Sequence, residues 1–469
     1  MTKRLTRRKW LKTNAALAGA AAGTRLFPAP ALLAEPAPNS KLGFAVIGCG
    51  GRSGAHLPAA AAERLVAVSD PDEARTAAAV KSVAAAHPTA ARAKTYFDYR
   101  RLFDEVHREL DAVFVVTTDH HHACASMMAI KLGKHVYCEK PLVHDVYEAR
   151  ALALAARKHK VATQMGNQGH AFESLRRLTE YLQAGAIGDV IETHSWQGWV
   201  YGIRKPAPAE PVPPGMHWDE YIGPAPFRPF RKDIHPNPGW LQWRDFGTGV
   251  LGGMGPHVLD PVYFGLKLGH PASVEAVAQI GGDADSYPTL NTLRYDFPAR
   301  GSMPPVKVYW YDGTRPGADL TLIGYNPQPQ FLHRPALADE LEKRHDCHFP
   351  SGGTLFVGTK GIMHCGPYSE SPRIIPEAEH QKFPPPPKTL HRTKDILEDF
   401  LQACRGGPAP CSNFTDYAGP FMEAMLVGLL ATSGGSGRKV QWDGPAMNCT
   451  NLPELNRLVQ REYRKGWEL

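Results

Sequence analysis

Apolar runs alternate with alanine-rich stretches in the first part of the chain. Six runs have the length and apolar content of strands, at residues 43–47, 64–69, 94–96, 111–116, 135–138 and 160–164. Helical segments are predicted between them, near residues 72–86, 99–109, 123–132 and 145–158. Strands that alternate with helices of this length form a parallel sheet with right-handed crossovers and helices on both faces. The pattern therefore predicts a doubly wound α/β Rossmann domain over residues 41–166.

The pattern changes after residue 185. A strand-like run at residues 190–196 is followed by a long stretch rich in proline, tryptophan and glycine, from about 199 to 248. Further strand-like runs lie near residues 273–280, 290–297, 305–311, 319–323 and 354–365, and helices are predicted near 393–404 and 415–432. Because few helical patterns separate these strands, residues 167–469 are predicted to form an α+β domain with a mostly antiparallel sheet.

The positive charge of the chain is concentrated near its start. The 469 residues carry a formal net charge of +7, and residues 1–31 contain no Asp or Glu. The basic residues of this stretch are Lys3, Arg4, Arg7, Arg8, Lys9, Lys12 and Arg25. Outside it, basic and acidic residues are equal in number. The sequence therefore indicates no nucleic-acid-binding surface.

Residues 1–34 have the features of a twin-arginine (Tat) signal peptide. Arg7 and Arg8 supply the paired arginines, and the weakly apolar stretch at residues 15–23 is too short to span a bilayer. An Ala-x-Ala cleavage motif ends at Ala31. We therefore expect a periplasmic protein that the Tat machinery exports, without a stable membrane span. Since an exported enzyme meets little free cofactor, we also expect any dinucleotide to be tightly bound.

A glycine-rich turn joins the first predicted strand to the helix that follows it. Gly48 permits the tight turn, Gly50 lets the backbone approach a pyrophosphate, and the following helix N-terminus favours phosphate charge. Ser53 stands at the third position of the dinucleotide-binding fingerprint, where Gly or Ala is usual. Asp70 ends the second strand, where its carboxylate would accept hydrogen bonds from the adenosine ribose and repel a 2′-phosphate. The site is therefore predicted to bind NAD in preference to NADP.

Five motifs together resemble those of the Gfo/Idh/MocA oxidoreductases, the family of glucose–fructose oxidoreductase and inositol dehydrogenase. They are Gly48–Arg52, Thr117–Ala123, Glu139–Pro141, Gly166–His170 and Gly252–Asp260. The resemblance extends in these motifs from about residue 41 to 270. It implies an NAD(P)-dependent oxidoreductase whose substrate is a sugar, cyclitol or glycoside. It also implies homo-oligomers that assemble through the sheet of the second domain.

The resemblance implies two catalytic residues. Lys140 follows the fifth strand, where the family's lysine approaches the reacting hydroxyl, and the positive nicotinamide ring would lower its pKa. His257 would remove the hydroxyl proton. The family usually places an Asp four residues before this histidine, and this sequence has Gly253 there. Activity is then expected to be slower, to use another carboxylate such as Asp260, or to differ in kind.

The other site residues are predicted from the same motifs and from the aromatic stretch before His257. The cofactor-binding set is Gly48, Gly50, Gly51, Arg52, Ser53, Asp70, Thr117, Thr118, His120, His122, Glu139, Lys140 and Asn167. Residues 117–122 are expected to form a loop along the nicotinamide half of the cofactor. Aromatic faces and polar side chains suit sugar rings. The substrate-binding set is His170, Tyr201, Trp243, Arg244, His257 and Asp260.

The sequence predicts no metal site. The consecutive histidines at residues 120–122 have no cysteine or carboxylate at ligand spacing, and no second pair completes the group at residues 345–348. The eight cysteines show no C-x-x-C pair. The sequence leaves disulfides open among Cys347, Cys365, Cys404, Cys411 and Cys449.

Three functions remain open from the sequence alone. The first is a dehydrogenase or keto-reductase, which the glycine turn, Lys140 and His257 support together. The second is NAD-assisted glycoside cleavage by a hydrolase or lyase, in which a transient keto-sugar acidifies a neighbouring C–H and elimination expels the aglycone. The third is a non-catalytic sugar- or dinucleotide-binding protein, for which Gly253 is the main support.

Overall fold

Six parallel strands build the first sheet within the described residues, in the order β3-β2-β1-β4-β5-β6. The computed structural model describes residues 41–199, 207–235, 238–318 and 328–469. The strands are β1 Gly43–Ile47, β2 Arg64–Ser69, β3 Lys94–Tyr96, β4 Ala112–Val115, β5 His135–Cys138 and β6 Thr163–Met165. β1 and β4 are buried over their whole length, as expected for strands covered on both faces. This sheet confirms the predicted doubly wound fold.

The strand order reverses at the centre of this sheet. β1 lies between β2 and β4, and it pairs with both in parallel. In doubly wound sheets, ligands bind beyond the carboxyl ends of the strands at such a reversal. The turn that contains Gly48 follows β1, and Thr117 and Thr118 follow β4. The fold therefore brings these two segments to the same edge of the sheet.

Five helices cover the first sheet within the described part of the chain: Leu57–Ala62, Glu73–Ala84, Tyr99–Val106, Asp119–Lys131 and Val146–His159. The side chains of Asp72, Asp98 and Asp145 cap three of them by accepting hydrogen bonds from first-turn N–H groups. The prediction of a loop through residues 117–122 was wrong, because the helix already begins at Asp119. Histidine is only a modest helix former, but this helix is buried along most of its length, and packing outweighs propensity.

The second sheet has nine strands in the residues that the structure describes, in the order β13-β12-β11-β7-β10-β9-β8-β14-β15. The strands are β7 Val190–Gln197, β8 Ser273–Ile280, β9 Leu290–Phe297, β10 Val306–Gly313, β11 Gly352–Gly358, β12 Ile362–Cys365, β13 Arg373–Ile375, β14 Lys439–Asp443 and β15 Asn448–Cys449. β7 and β10 pair in parallel, and the other neighbours pair antiparallel. The predicted, mostly antiparallel sheet is confirmed. The predicted strand at residues 319–323 lies outside the described residues.

A long apolar helix, Gly419–Gly434, packs between the two sheets. It contacts β8 and the helix Val146–His159 of the first domain. A Cβ atom at Gly428 would lie 2.0 Å from the hydroxyl oxygen of Tyr295, so only glycine permits this close packing. The other helices of the second half are Glu173–Gln183, Trp218–Ile222, Gly249–Val258, Asp260–Gly265, Ala336–His345, Glu377–Lys382 and Ile396–Cys404.

The chain from Leu42 to Leu469 forms one compact unit. An ion pair joins its two halves. Nε of Arg150, in the helix Val146–His159, donates to the carboxylate of Glu423, in the helix Gly419–Gly434, at 3.0 Å. The predicted domain boundary at residue 166 stays a prediction. Within the described ranges, no helix has both the length and the apolar character needed to cross a bilayer.

Candidate active site

The turn after β1 has the geometry that its glycines predict. Gly48 has a φ angle of +91°, and a Cβ atom there would lie 2.4 Å from the carbonyl oxygen of Val116. Only glycine therefore fits this position. The turn leads into a 3₁₀ helix, Gly51–Ala55. The Ser53 hydroxyl donates to the carbonyl oxygen of Gly50 at 2.6 Å, so this side chain stabilises the turn.

A cavity of about 310 Å³ lies against this turn. The predicted cofactor-binding residues that line it are Gly48, Gly50, Gly51, Arg52, Asp70, Thr117 and Thr118. They come from the carboxyl ends of β1, β2 and β4, where a doubly wound sheet binds its ligand. A glycine turn followed by a helical N-terminus, together with a carboxylate at the end of β2, fits the phosphates and adenosine ribose of a dinucleotide.

The Asp70 carboxylate is fixed by backbone groups at the edge of the cavity. The N–H of Cys49 donates to Oδ2 at 2.8 Å, and the N–H of Asp72 donates to Oδ1 at 2.9 Å. Burial raises the pKa of Asp70, while these two hydrogen bonds and the Arg75 charge oppose the rise. Each oxygen can accept a further hydrogen bond. The carboxylate is therefore oriented to accept from ribose hydroxyls.

A buried carboxylate links the cavity to the motif after β5. Oε1 of Glu139 accepts from Nε of Arg52 at 2.8 Å, and Nε2 of His56 lies 2.8 Å from the same oxygen. Burial raises the pKa of Glu139, but the hydrogen bond with His56 and the charges of Arg52 and Lys140 outweigh it and lower the pKa to about 2. Gly166 leaves room for this carboxyl, since a Cβ atom there would lie 2.8 Å from its carbon. Glu139 thus stays charged and holds Arg52 at the cavity.

Lys140 and His257 meet at the glycine-rich helix Gly249–Val258. Nζ of Lys140 donates a hydrogen bond of 2.7 Å to the carbonyl oxygen of Gly253, one helical turn before His257. Burial lowers the pKa of Lys140, and the nearby Glu139 carboxylate opposes this. Burial also lowers the pKa of His257 well below its ordinary value, and the charge of Lys140 lowers it further. The structure therefore places a neutral imidazole near an ammonium group.

His257 retains a polar atom for a ligand. Its side chain is buried, and Nδ1 has no hydrogen-bond partner among the described residues. The centre of its ring lies 4.5 Å from the centre of the Tyr368 ring. Tyr368 was not singled out from the sequence. Because buried polar atoms normally have hydrogen-bond partners, Nδ1 is available to accept or donate a hydrogen bond when a molecule binds beside it.

Asp260 belongs to a separate hydrogen-bond network. Its Oδ1 lies 2.9 Å from Nδ1 of His170 and accepts from Nδ2 of Asn167 at 3.3 Å. The hydroxyl of Tyr417 also donates to it. Of the three alternatives for the position of Gly253, the use of Asp260 as the carboxylate beside His257 was wrong, because Asp260 starts a new helix and pairs with His170 instead. Substrate contacts of His170 and Asp260, and cofactor contact of Asn167, stay predictions.

His122 connects the two loops that flank the site. Its Nδ1 lies 2.5 Å from the carbonyl oxygen of Pro141, and its Nε2 lies 3.1 Å from that of Thr117. Burial lowers the pKa of His122, but Cys138, Asp119 and the Pro141 carbonyl outweigh it and raise the pKa to about 10. His122 therefore orders the loops after β4 and β5 and is not among the residues that line the cavity.

His120 and His121 contact a segment from the second half of the chain. The ring nitrogens of His120 lie 3.2 Å from the carbonyl oxygen of Phe246 and 3.0 Å from that of Tyr221. Nε2 of His121 lies 2.9 Å from the same Tyr221 oxygen. His121, which was not predicted, lines the cavity, whereas His120 is not among the lining residues.

Trp243 and Arg244 have partners within the protein. The guanidinium of Arg231 lies 4.8 Å from the centre of the Trp243 ring. Nε of Arg244 donates to the carbonyl oxygen of Ser286 at 3.1 Å. Neither is among the residues that line the cavity, and Trp243 is part of a hydrophobic cluster with Trp218 and Phe246. The predicted site residue Tyr201 lies outside the described residues.

Fourteen of the 21 residues that line the cavity were not assigned from the sequence. Four of them, Ile47, Ser69, Pro71 and Val116, lie at or just after the ends of β1, β2 and β4. The other ten are Arg75, Phe97, Asp98, Tyr99, His121, Glu220, Tyr221, His235, Trp240 and Trp467. They come from segments far apart in the sequence, and no local motif marks them. The aromatic content before His257 was a signal, but it was interpreted as a substrate site.

In the described part of the chain, no group of three or more His, Cys, Asp or Glu side chains is arranged to hold a metal ion. All eight cysteines are free thiols.

Comparison with known sequences identifies both halves of the chain. Residues 42–167 match the NAD-binding Rossmann-fold model of the Gfo/Idh/MocA oxidoreductase family, and residues 187–299 match that family's C-terminal α/β-domain model. Inositol 2-dehydrogenase 2 of Saccharopolyspora erythraea is 31% identical over 33% of this chain and 44% of its own length. Levoglucosan dehydrogenase of Pseudarthrobacter phenanthrenivorans is 24% identical over 38% of each chain. The chain thus matches less than half the length of these curated relatives.

Solved structures resemble this fold over most of the chain. The aldose–aldose oxidoreductase of Caulobacter crescentus, solved with glycerol, has a TM-score of 0.55 and 17% identity, and the match covers 86% of this chain and 99% of that one. The WlbA dehydrogenase of Bordetella pertussis, solved with NADH and UDP-GlcNAcA, has a TM-score of 0.56 and 15% identity over 86% and 99% of the two chains. The two matched family models agree with the glycine turn and the two sheets of the structure. The chain therefore belongs to the Gfo/Idh/MocA oxidoreductase family.

Proposed function

We propose that the protein is an NAD(P)-dependent oxidoreductase that interconverts a CH–OH group and a carbonyl group on a carbohydrate or cyclitol. The observation that carries the proposal is the arrangement of Lys140 and His257 beyond β5. The Arg52–Glu139 ion pair joins this arrangement to the cavity beside the glycine turn. The names of inositol 2-dehydrogenase and levoglucosan dehydrogenase support this substrate class.

Oxidation of an alcohol removes a hydride from carbon and a proton from oxygen. A bound nicotinamide supplies the carbon that accepts the hydride. The neutral imidazole of His257 accepts the proton, because its lowered pKa leaves it unprotonated at neutral pH. An imidazole with a lowered pKa is a weak base. The ammonium of Lys140 compensates by stabilising the negative charge that develops on the alcohol oxygen.

We propose NAD as the preferred dinucleotide. Asp70 lies at the edge of the cavity with both carboxylate oxygens oriented by backbone N–H groups. A negative charge at this place attracts ribose hydroxyls and repels the 2′-phosphate that distinguishes NADP. Arg75 lines the same cavity and reduces the repulsion without removing it, so NADP is a weaker ligand.

The test uses the purified full-length chain, NAD⁺ or NADP⁺, and a panel of sugars, cyclitols and glycosides. Reduced nicotinamide should accumulate with at least one alcohol, and Lys140→Met should abolish the signal. Aglycone release from a glycoside without net reduction would identify the glycoside-cleaving alternative. Binding of a dinucleotide or sugar without turnover of any compound in the panel would indicate the non-catalytic alternative. A chain that binds neither dinucleotide, or whose activity survives Lys140→Met unchanged, would overturn the proposal.

We further propose that the protein is exported through the Tat pathway and assembles as a homo-oligomer. The paired arginines at residues 7 and 8 support export, and residues 1–40 lie outside the described part of the chain. Replacing both arginines by lysine should leave the protein in the cytoplasm, and unchanged periplasmic recovery would contradict export through the Tat pathway.

Native mass spectrometry of the purified chain tests the proposed homo-oligomer. A monomer at every protein concentration would refute it.

A further inference from the structure

A segment of the second half of the chain crosses the cavity beside the loops after β2 and β3. We name residues 215–235 the strap. The N–H of Glu73 donates to the carbonyl oxygen of Gly215 at 3.0 Å, and the N–H of His217 donates to that of Pro71 at 2.8 Å. The backbone after β2, which contains Asp70, is therefore joined directly to the strap.

The His217 side chain fixes the same contact. Nε2 of His217 lies 2.8 Å from the Glu73 carboxylate. Its ring stacks on Phe97 with the ring centres 3.8 Å apart and the planes 6° apart. Phe97 follows β3 and lines the cavity. The strap is thus attached to the loops after both β2 and β3, the side of a Rossmann fold that receives the adenosine.

The strap presents a polar atom without a partner to the cavity. His235 lines the cavity, is only 6% exposed, and its Nε2 has no hydrogen-bond partner within the described residues. The Asp72 carboxylate is 3.8 Å away, which is beyond hydrogen-bond distance. Burial lowers the pKa of His235 to about 4, so the ring is neutral at pH 7. Because His235 lines the cavity, a molecule bound there can supply the missing hydrogen bond.

Trp467 supplies a wall of the same cavity. Its carbonyl oxygen accepts from Sγ of Cys124 at 3.2 Å, and the Arg100 guanidinium lies 3.7 Å from the centre of its ring. The segment that carries it is anchored by Arg461, whose Nε donates to the buried Glu148 carboxylate at 2.9 Å. These contacts hold the indole against the Rossmann domain.

The strap also contacts the segment that carries Trp467. Arg464, three residues before Trp467, forms an ion pair with Asp219 of the strap. Tyr221 of the strap and Trp467 both line the cavity. We propose that the strap and Trp467 form the adenosine compartment of the dinucleotide site and keep the cofactor bound between turnovers. His235 Nε2 hydrogen-bonds the adenosine, and the aromatic rings cover its base. This inference rests on the proposed function and assigns residues to its cofactor site.

The experiment measures cofactor release from the full-length chain. The protein is loaded with NADH, excess nucleotide is removed, and a large excess of NAD⁺ is added while the fluorescence of bound NADH is followed. His217→Ala removes the stacking and hydrogen bond of the strap, and it should raise the release rate roughly tenfold. Trp467→Ala should do the same, with Trp467→Leu, which removes the aromatic ring but keeps an apolar side chain, as the variant to use if the alanine form does not fold.

His380→Ala is the matched control. This histidine also packs against an aromatic ring, Tyr181, at 5.4 Å between ring centres, and it is not among the residues that line the cavity. Its release rate should equal that of the unmodified chain. Release rates unchanged by His217→Ala and by the Trp467 variants would overturn the inference and leave the proposed function standing. Failure of the unmodified chain to bind any dinucleotide would overturn the proposed function itself.

Discussion

The Nζ atom of Lys140 donates a hydrogen bond of 2.7 Å to the backbone carbonyl oxygen of Gly253. Because glycine has no side chain, a backbone dipole and not a carboxylate is the hydrogen-bond partner that position 253 offers to this ammonium group. A carbonyl group stabilises an ammonium less than a carboxylate does. The pKa of Lys140 is lowered, which agrees with a weak partner at position 253. Burial lowers this pKa, and the charges that raise it are the carboxylates of Glu139 and Asp119.

Replacing Lys140 by methionine should lower turnover by about 10² or more, because the charge that stabilises the alcohol oxygen is lost. Dinucleotide affinity should change little, since Lys140 is not among the cavity-lining residues. Lys134→Met is the matched control, because Nζ of Lys134 also donates to a backbone carbonyl, that of Leu110, at 2.8 Å. Steady-state kinetics and a binding titration measure both effects. Equal turnover in the two variants would contradict a catalytic role for Lys140.

The pH profile of kcat/KM should follow the two lowered pKa values. His257 acts as a base only when neutral, and its pKa lies well below 6.5, so the acidic decline should begin only below that pH. Lys140 acts as a cation, and its pKa lies below 10.5, so the alkaline decline should begin before that pH is reached. Lys140→Met should remove the alkaline decline from the residual activity. A profile that falls as the pH drops through 7 would show that His257 is not the base.

Gly166→Ala should disrupt the Glu139 ion-pair network. The new Cβ atom would lie 2.8 Å from the carboxyl carbon of Glu139, so the carboxylate must shift, which disturbs its contacts with Arg52 and His56. We expect weaker dinucleotide binding and lower turnover, on the order of tenfold each, because Arg52 lines the cavity. Gly269→Ala is the control, since a Cβ atom there meets nothing within 4 Å. Calorimetric titration with NAD⁺ measures the Kd of both variants. Equal Kd values for Gly166→Ala and Gly269→Ala would refute the role of the network.

Asp70→Ser should relax the preference for NAD. The substitution removes the charge that repels a 2′-phosphate and leaves Arg75 in the cavity, so the ratio of the Kd for NADP to that for NAD should fall by about tenfold or more. Asp104→Ser, at an exposed position of the helix Tyr99–Val106, should leave the ratio unchanged. Fluorescence titrations with NADH and NADPH give both constants. An unaltered ratio in Asp70→Ser would show that this carboxylate does not face the ribose.

The first sheet and the glycine turn were predictable because their signals are local. Apolar runs set β1 and β4, and Gly48 is required by a positive φ angle that sequence patterns encode directly. The helix Gly249–Val258 was not predicted, because its glycines and Pro256 are poor helix formers and only buried packing stabilises it.

The rest of the candidate site depends on contacts between distant segments. His235 and Trp467 reach the cavity only because the strap and the segment around Arg461 pack across the first sheet. Periodicity and spacing describe neighbours along the chain and carry no information about such contacts. The same limit explains why Asp260 was expected beside His257, three residues away, although it pairs with His170.

The most direct measurement is a crystal structure of the full-length chain with bound NAD(H), from which the distance between Lys140 Nζ and the nicotinamide C4 atom is read. We expect the diphosphate at the Gly48 turn and a separation of about 5 Å, close enough for one substrate atom to contact both groups. A separation of more than about 10 Å would place Lys140 beyond any proton-transfer contact with the reacting alcohol and would contradict its catalytic role.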